Sequence, residues 1–353
     1  MARITVIGTT SWGMTLGVIL ANKGQQVKIW TRTEQEATKL KEEGPNPVLP
    51  QEVTLPAKLS FTSSLDEALS GARAVIMAVP SQTMRQNIGL VSSHLKETTL
   101  IVSAAKGLEI ESGKRMTEVI AEEINPAFQS NICVLSGPNL SREILLNMPA
   151  ATVVAAEEQT VSRAAQRLLT TPNLCVYLNT DIIGVELGGA LKNIVALAAG
   201  IADGLGYGDN AKASLITRGL AEITAIGVSL GANPLTMAGL AGLGDLITTC
   251  ASSLSRNHYV GVELTKGRKL EEITSTMEGV AEGVSTTLAT WKLAQQLGVE
   301  MPITEKMYQV LYQGVEPRQA AVELMRAQVA HELSGRRWNL FSFFRRSKSD
   351  SSK

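Results

Sequence analysis

The chain is expected to be an α/β protein in which a doubly wound sheet is followed by an all-α C-terminal half. Three observations carry this. Up to about residue 180, short β-rich apolar runs alternate with helical patterns, the order that builds a sheet from βαβ units. Glycines and polar residues that invite a ligand recur just after those runs, at the carboxyl edge where open α/β sheets bind. Beyond residue 180 the apolar spacing is helical, with no convincing strand. The division drawn from this change is 1–183 for the sheet domain, 184–334 for the helical domain and 335–353 for a tail.

Composition narrows the function classes. The 353 residues are 44% hydrophobic and 19% charged, which suits an ordinary globular protein with room for two cores. The 33 basic residues balance 33 acidic ones, so no global field draws nucleic acid, and any anion site must be local. Cys133, Cys175 and Cys250 have no metal-ligand spacing and read as buried thiols in a reducing compartment. Only three histidines are present, His94, His258 and His331, and no metal is expected. Residues 1–13 run straight into a strand without a signal-type apolar core, and no uninterrupted apolar run reaches ~20 residues. A cytoplasmic location is expected.

Residues 3–7 (RITVI) read as the first strand. Gly8-Thr9-Thr10-Ser11-Trp12-Gly13 follows, then a helical pattern, then a second strand over 26–32. Strand, glycine turn, helix and strand make the dinucleotide-binding unit of a Rossmann-type domain. Gly8 permits the tight turn, Gly13 closes the fingerprint, and N–H groups at the helix start meet a pyrophosphate. Thr10 breaks GxGxxG at its second glycine, where the backbone normally approaches the pyrophosphate closely. The second strand ends in Thr31-Arg32-Thr33-Glu34. An acid at the strand end would serve the ribose hydroxyls of NAD, whereas Arg32 suits a 2′-phosphate, so NADPH is expected in preference to NADH. The plainer reading of Arg32 is a surface cation.

Residues 34–60 are Pro-bearing and are expected to be irregular, as a flap over the adenosine. A helix at 65–72 leads to a buried strand at 73–81, ending in Pro80-Ser81. A helix over 84–95 precedes a strand at 98–107 that ends in Lys106-Gly107. A strand at 132–139 is tipped by Gly137-Pro138-Asn139, with a helix at 141–145. Strands at 150–157 and 173–179 flank a helix at 162–169.

Residues 184–223 are apolar, rich in Gly and Ala, and long enough for two packed helices. Lys192 lies inside the first apolar run, before Ile194, Val195, Leu197 and Ala198. Low polarity disfavours an ammonium, so such a lysine can exchange protons near neutral pH. Glu186 precedes it by six residues, and Asp209, Asn210, Lys212, Thr217, Arg218 and Glu222 form a second polar set. The plain alternative is a helix hairpin whose lysine snorkels to the surface. Residues 242–261 interrupt the helical half with glycines and polar groups. There Ser255-Arg256-Asn257 are consecutive donors, and Arg256 can fork onto a phosphate. Residues 277–283 form a polar turn before a helix at 285–298, and 301–314 and 317–325 are amphipathic helices. The basic, aromatic, Ser-rich tail is read as a frayed end, with contact to an anionic membrane surface as the lesser reading.

The stretches VELGGALKNIVALAAGIADGLGYGDNAKASLITRGLAE, AGLGDLITTCASSLSRNHYVG, VPSQTMR, SAAKGLE, LSGPNLSREI and VAEGVSTT together resemble the bacterial-type NAD(P)-dependent glycerol-3-phosphate dehydrogenases, over about residues 3–332. The resemblance implies a Rossmann domain, an all-α partner and an active site between them. It also implies interconversion of dihydroxyacetone phosphate and sn-glycerol 3-phosphate, supply of the phospholipid backbone, and a homodimer. By matching motif, Lys192 resembles the catalytic proton acceptor and a substrate contact. Lys106 resembles a substrate ligand that borders the cofactor. Gly137, Asn139, Asp245, Ser255, Arg256 and Asn257 resemble substrate contacts, and Arg256 also borders the cofactor. Gly8, Ser11, Trp12, Gly13, Arg32, Ser141, Val280 and Glu282 are carried over as cofactor contacts. Three positions depart from the family pattern: Thr10 replaces Gly, and Asn139 and Ser141 replace Ser and Ala. Asn139 keeps its hydrogen-bonding capacity.

Two rival readings stand beside this one. A related two-domain dehydrogenase could act on a hydroxy acid or sugar phosphate acid, though the LSRN and GLGD motifs argue against it. A non-catalytic dinucleotide-binding regulator would treat Thr10 as decay, but the intact set of Lys106, Lys192, Asp245 and Arg256 speaks against that.

Overall fold

The structure, a computed structural model, describes residues 2–42 and 49–326; the tail at 335–353 and the end of the helical domain lie outside the described residues. Eight strands form one sheet: β1 (Arg3–Ile7), β2 (Gln26–Trp30), β3 (Leu59–Thr62), β4 (Ala74–Met77), β5 (Leu100–Ser103), β6 (Ile132–Ser136), β7 (Ala150–Ala155) and β8 (Leu174–Asn179). Their spatial order is β3-β2-β1-β4-β5-β6-β7-β8. Every neighbouring pair is parallel except β6 with β7. The order reverses at β1, which pairs with β2 on one side and β4 on the other. That reversal opens a crevice beyond the carboxyl ends of β1 and β4.

The sheet is apolar on both faces because alternate residues feed different cores. Ile4, Val6, Ala74 and Ile76 pack with Met14 and Leu16 of α1 (Ser11–Asn22). Ile7, Val75 and Met77 face a second core, with helices α3 (Leu65–Leu69) and α4 (Met84–Ser92) supplying Leu69, Met84 and Ile88. The doubly wound class expected from the alternation of runs is therefore the observed one.

Residues 34–60 are not irregular throughout. Glu34–Glu42 form helix α2, and Leu59–Thr62 form β3. Helix α2 buries only Ala37, so it carries no apolar periodicity to read. Its signals are electrostatic and local. Glu34 and Glu36 occupy the first turn and Lys39 and Lys41 the last, each complementing the helix dipole, and Thr33 Oγ1 accepts the Glu36 N–H at 3.2 Å. A further helix that the sequence reading passed over, α5 (Met116–Glu123), precedes β6, and α6 (Ser141–Leu145) follows it; α7 (Gln159–Leu169) joins β7 to β8. Cys133 and Cys250 are buried as expected, but Cys175 is exposed. It lies on the edge strand β8, where Cys175 and Tyr177 alternate with buried Leu174 and Val176.

Helix α8 (Ile182–Gly204) is the axis of the helical half. Asp181 caps it, its Oδ1 accepting the Gly184 N–H at 2.8 Å. Around it pack α9 (Gly208–Ser229), α10 (Pro234–Met237), α11 (Asp245–Ala251), α12 (Arg256–Thr265), α13 (Leu270–Thr276), α14 (Glu282–Leu297), α15 (Pro302–Tyr312) and α16 (Pro317–Arg326). The stretch around 242–261 is itself helical: a π-turn at Leu240–Gly244 runs into α11, and α12 follows. By length and composition α8 could cross a membrane (mean hydropathy 1.6), but 89% of that stretch is buried inside the protein. Its apolar surface is thus spent on core packing.

Glu186 ties the halves together. Its carboxylate accepts from Arg115 Nη1 at 2.6 Å, the Thr117 N–H at 2.8 Å and Thr117 Oγ1 at 2.6 Å, at the start of α5. Burial raises this carboxyl, and the Arg115 charge opposes the shift. The carboxylate six residues before Lys192 is therefore structural and has its own partners.

Candidate active site

Three charged groups from distant parts of the chain meet where α8 lies against the sheet. A Cβ at Gly189 would stand 2.2 Å from Ser136 Oγ at the end of β6. Glycine here lets α8 pack against β6 without displacing the Ser136 hydroxyl, and the next turn carries Lys192. Lys192 is 6% exposed. Its Nζ donates to Asp245 Oδ1 at 2.6 Å and to Thr249 Oγ1. Lys106, three residues past β5, donates through Nζ to Asp245 Oδ2 at 2.6 Å and to the Gly137 carbonyl at 2.8 Å. Asp245 is 1% exposed. One carboxylate thus holds two ammonium groups, and the cluster keeps one net positive charge. Burial lowers Lys106 to about 8; Asp245 resists this and the Lys192 charge adds to it. The run around Lys192 is apolar, yet its head group sits in a polar cluster, a setting the local sequence does not reveal.

The tip of β6 completes one wall. Gly137 has φ +144°, which turns its carbonyl toward Lys106, and a Cβ there would approach Thr152 Cα to 3.0 Å. Asn139 Nδ2 donates to Thr152 Oγ1 at 3.0 Å, while its buried Oδ1 has no partner among the described residues. Ser141 opens α6 nearby and is half-buried.

The LSRN motif forms the start of α12. Ser255 caps it, accepting the His258 N–H at 3.2 Å. Arg256 is exposed, and its Nη1 passes so near Gly279 (φ +77°) that a Cβ there would lie 2.4 Å away. This brings Arg256 beside the turn carrying Val280, which is 44% exposed, and Glu282. Asn257 is buried: its Nδ2 donates to Asn193 Oδ1 at 2.9 Å, and its Oδ1 accepts the Gly283 N–H at 2.9 Å. Its amide is committed to fixing α12 against α8 and α14. The second polar set disperses. Lys212 pairs with Asp203 at 2.7 Å, alongside His258, and Glu222 accepts the Ile303 and Thr304 N–H groups at 2.6 and 3.2 Å.

The glycine turn lies at the other end of the crevice. Gly8 has φ +111°, and a Cβ there would stand 2.7 Å from the Ala78 carbonyl; a Cβ at Gly13 would stand 2.5 Å from the Gly8 carbonyl. Both positions demand glycine. Thr10 does not, because its φ of −62° suits any residue. Its hydroxyl accepts the Gly13 N–H at 3.1 Å and donates to the Ala78 carbonyl at 2.7 Å, so it caps α1 and ties the turn to β4. Ser11 begins α1, and the buried Trp12 Nε1 has no partner among the described residues. Just past Ala78, Ser81 donates its N–H to Glu282 Oε1 at 3.0 Å and its hydroxyl to Oε2. Burial raises the Glu282 carboxyl against these bonds and the Arg256 charge. Arg32 is exposed just beyond β2. The cradle cleared by Gly8 and Gly13, the start of α1 and the Trp12 N–H, unpartnered among the described residues, fit a dinucleotide along this edge.

The family description "NAD-dependent glycerol-3-phosphate dehydrogenase N-terminus" matches residues 3–162, and its C-terminal counterpart matches residues 181–322. The chain belongs to the NAD-dependent glycerol-3-phosphate dehydrogenase family. Glycerol-3-phosphate dehydrogenase [NAD(P)+] of Dehalococcoides mccartyi is 58% identical over 347 residues, which are 98% of this chain and 97% of that protein. The enzyme of the same name from Geobacter sulfurreducens is 46% identical over 95% of this chain and 99% of its own length. The crystal structure of glycerol-3-phosphate dehydrogenase from Coxiella burnetii superposes with a TM-score of 0.87 at 35% identity, covering 92% of this chain and 99% of that one. Neither rival reading gains support from these dehydrogenases.

Motif reading missed three residues at the site. Thr249 touches Lys192, and its spacing of i+4 from Asp245 on one helix face was an available signal. Asn193, beside Lys192, holds Asn257. Glu36 reaches the glycine turn from α2, and nothing local announces it.

Proposed function

We propose that this dehydrogenase reduces dihydroxyacetone phosphate to sn-glycerol 3-phosphate reversibly, with Lys192 as the proton donor and acceptor. The observation that carries this is the buried Lys192–Asp245–Lys106 cluster, with its surplus positive charge. The nicotinamide, when bound, supplies or takes the hydride. Carbonyl reduction builds negative charge on oxygen, and two ammonium groups held by one carboxylate are already oriented to meet it. Lys192 gives the oxygen its proton, and Asp245 with Thr249 holds Nζ in place for that transfer. Lys106 and the unpartnered Asn139 Oδ1 orient the substrate hydroxyls. Ser255, Arg256 and the start of α12 hold the phosphate, so that binding becomes orientation. Asn257 supports this by fixing the helix. Arg32 favours NADPH over NADH.

The test is NADPH oxidation with dihydroxyacetone phosphate by the wild type and Lys192→Ala. Turnover should fall by at least ~100-fold in the variant, the usual scale of general acid catalysis, with NADPH binding retained. Near-normal turnover would remove Lys192 from the chemistry.

A further inference from the structure

Helix α2 carries an acid that neither the motifs nor the catalytic cluster explains. Glu36 Oε1 accepts from Thr9 Oγ1 in the glycine turn at 2.6 Å. Its Oε2 accepts the Arg32 backbone N–H at 3.2 Å, just past the end of β2. The carboxylate therefore bridges the carboxyl ends of the adjacent parallel strands β1 and β2. In a dinucleotide-binding sheet that edge receives the adenosine ribose. A carboxylate offers about four acceptor positions, and these two bonds leave room for a ribose hydroxyl. The same charge opposes a 2′-phosphate. Arg32 acts the other way: among the described residues its guanidinium has no partner.

We infer that Glu36 is a cofactor-specificity residue, accepting the 2′-hydroxyl of NADH and penalising the 2′-phosphate of NADPH, so that Arg32 and Glu36 set the balance between the two dinucleotides in opposition. This rests on the reading that Arg32 faces the 2′ position. The strand end Thr31-Arg32-Thr33-Glu34 conceals the pair, because the acid lies a helical turn further on and α2 has no apolar pattern.

The experiment measures dissociation constants of NADPH and NADH by calorimetric titration of the substrate-free enzyme, so no turnover is needed. In Glu36→Gln the NADH constant should rise and the NADPH constant fall, moving their ratio by about tenfold or more, the scale of one hydrogen bond to a charged group. Glu36→Ala should move the ratio in the same direction and covers the case in which Gln disturbs α2. A ratio unchanged in both Glu36 variants, or both constants shifted by one common factor, would overturn the proposal and reduce Glu36 to a brace for the glycine turn. Arg32→Ala tests the underlying reading separately: it should weaken NADPH about tenfold and NADH little, and an unchanged NADPH constant would refute the phosphate role of Arg32 alone.

Discussion

At the scale of single residues, the cluster around Asp245 makes a pH prediction. Lys106 is lowered to about 8, so it loses its charge as the pH rises through that value. Below pH 8 the cation is present; above it the neutral amine takes over and the positive field at the reacting oxygen weakens. The kcat/KM for ketone reduction should therefore decline above about pH 8, with an apparent pKa that belongs to the cluster as a whole. A pH–rate profile checks this, and Lys106→Gln should be slower and lack that limb. The linkage has a matching sign. Because the native pKa lies below the ordinary lysine value of 10.5, the unfolded chain holds more protons between about 8 and 10.5, and this group's contribution to stability rises with pH across that window. Lys106, Lys192 and Asp245 were legible as motif positions. That one carboxylate serves both lysines was not, because residues 106, 192 and 245 come from three distant stretches: the loop after β5, α8 and α11.

At the scale of elements, the crossing of α8 and α12 depends on small residues. A Cβ at Gly261 would lie 2.1 Å from the Leu197 carbonyl and 2.8 Å from the Ile201 nitrogen, both backbone atoms that cannot step aside. Gly261→Ala should cost about 3 kcal/mol or more through overpacking, read as a lowered urea midpoint. The same crossing carries Arg256 and Asn257, so surviving Gly261→Ala enzyme should also show a raised KM for the phosphate substrate. Elements differed in how readable they were. Strand β4 is a continuous apolar run and the surface helix α7 a clean amphipathic one. Helix α2 buries a single side chain and is stabilised by end charges and the Thr33 cap, which periodicity does not register.

At the scale of the whole molecule, buried and half-buried polar ties cross between sheet and helices, among them Arg115 and Thr117 with Glu186, Ser81 with Glu282, and Lys106 with Asp245. They should make the two halves unfold together. Calorimetry of the wild type should show one transition. Glu186→Ala removes the acceptor shared by Arg115 and the Thr117 N–H and hydroxyl, leaving Arg115 only its pair with Glu118, and should split or broaden that transition. Local pattern alone, which α2, β3 and α5 escaped, determined seven of the eight strands, the glycine turn between β1 and α1, the change to an all-helical half and the positions of Lys106, Lys192 and Arg256. These are properties of spacing, set by burial of a periodic face over a few residues. Tertiary structure alone decided partners. It turned Glu186 away from Lys192, gave Thr10 a capping role, closed Asp245 over two lysines and carried Glu36 back to Thr9. Which polar groups meet depends on which helices and strands are driven together by the burial of their apolar faces, and that is settled between residues far apart in the chain.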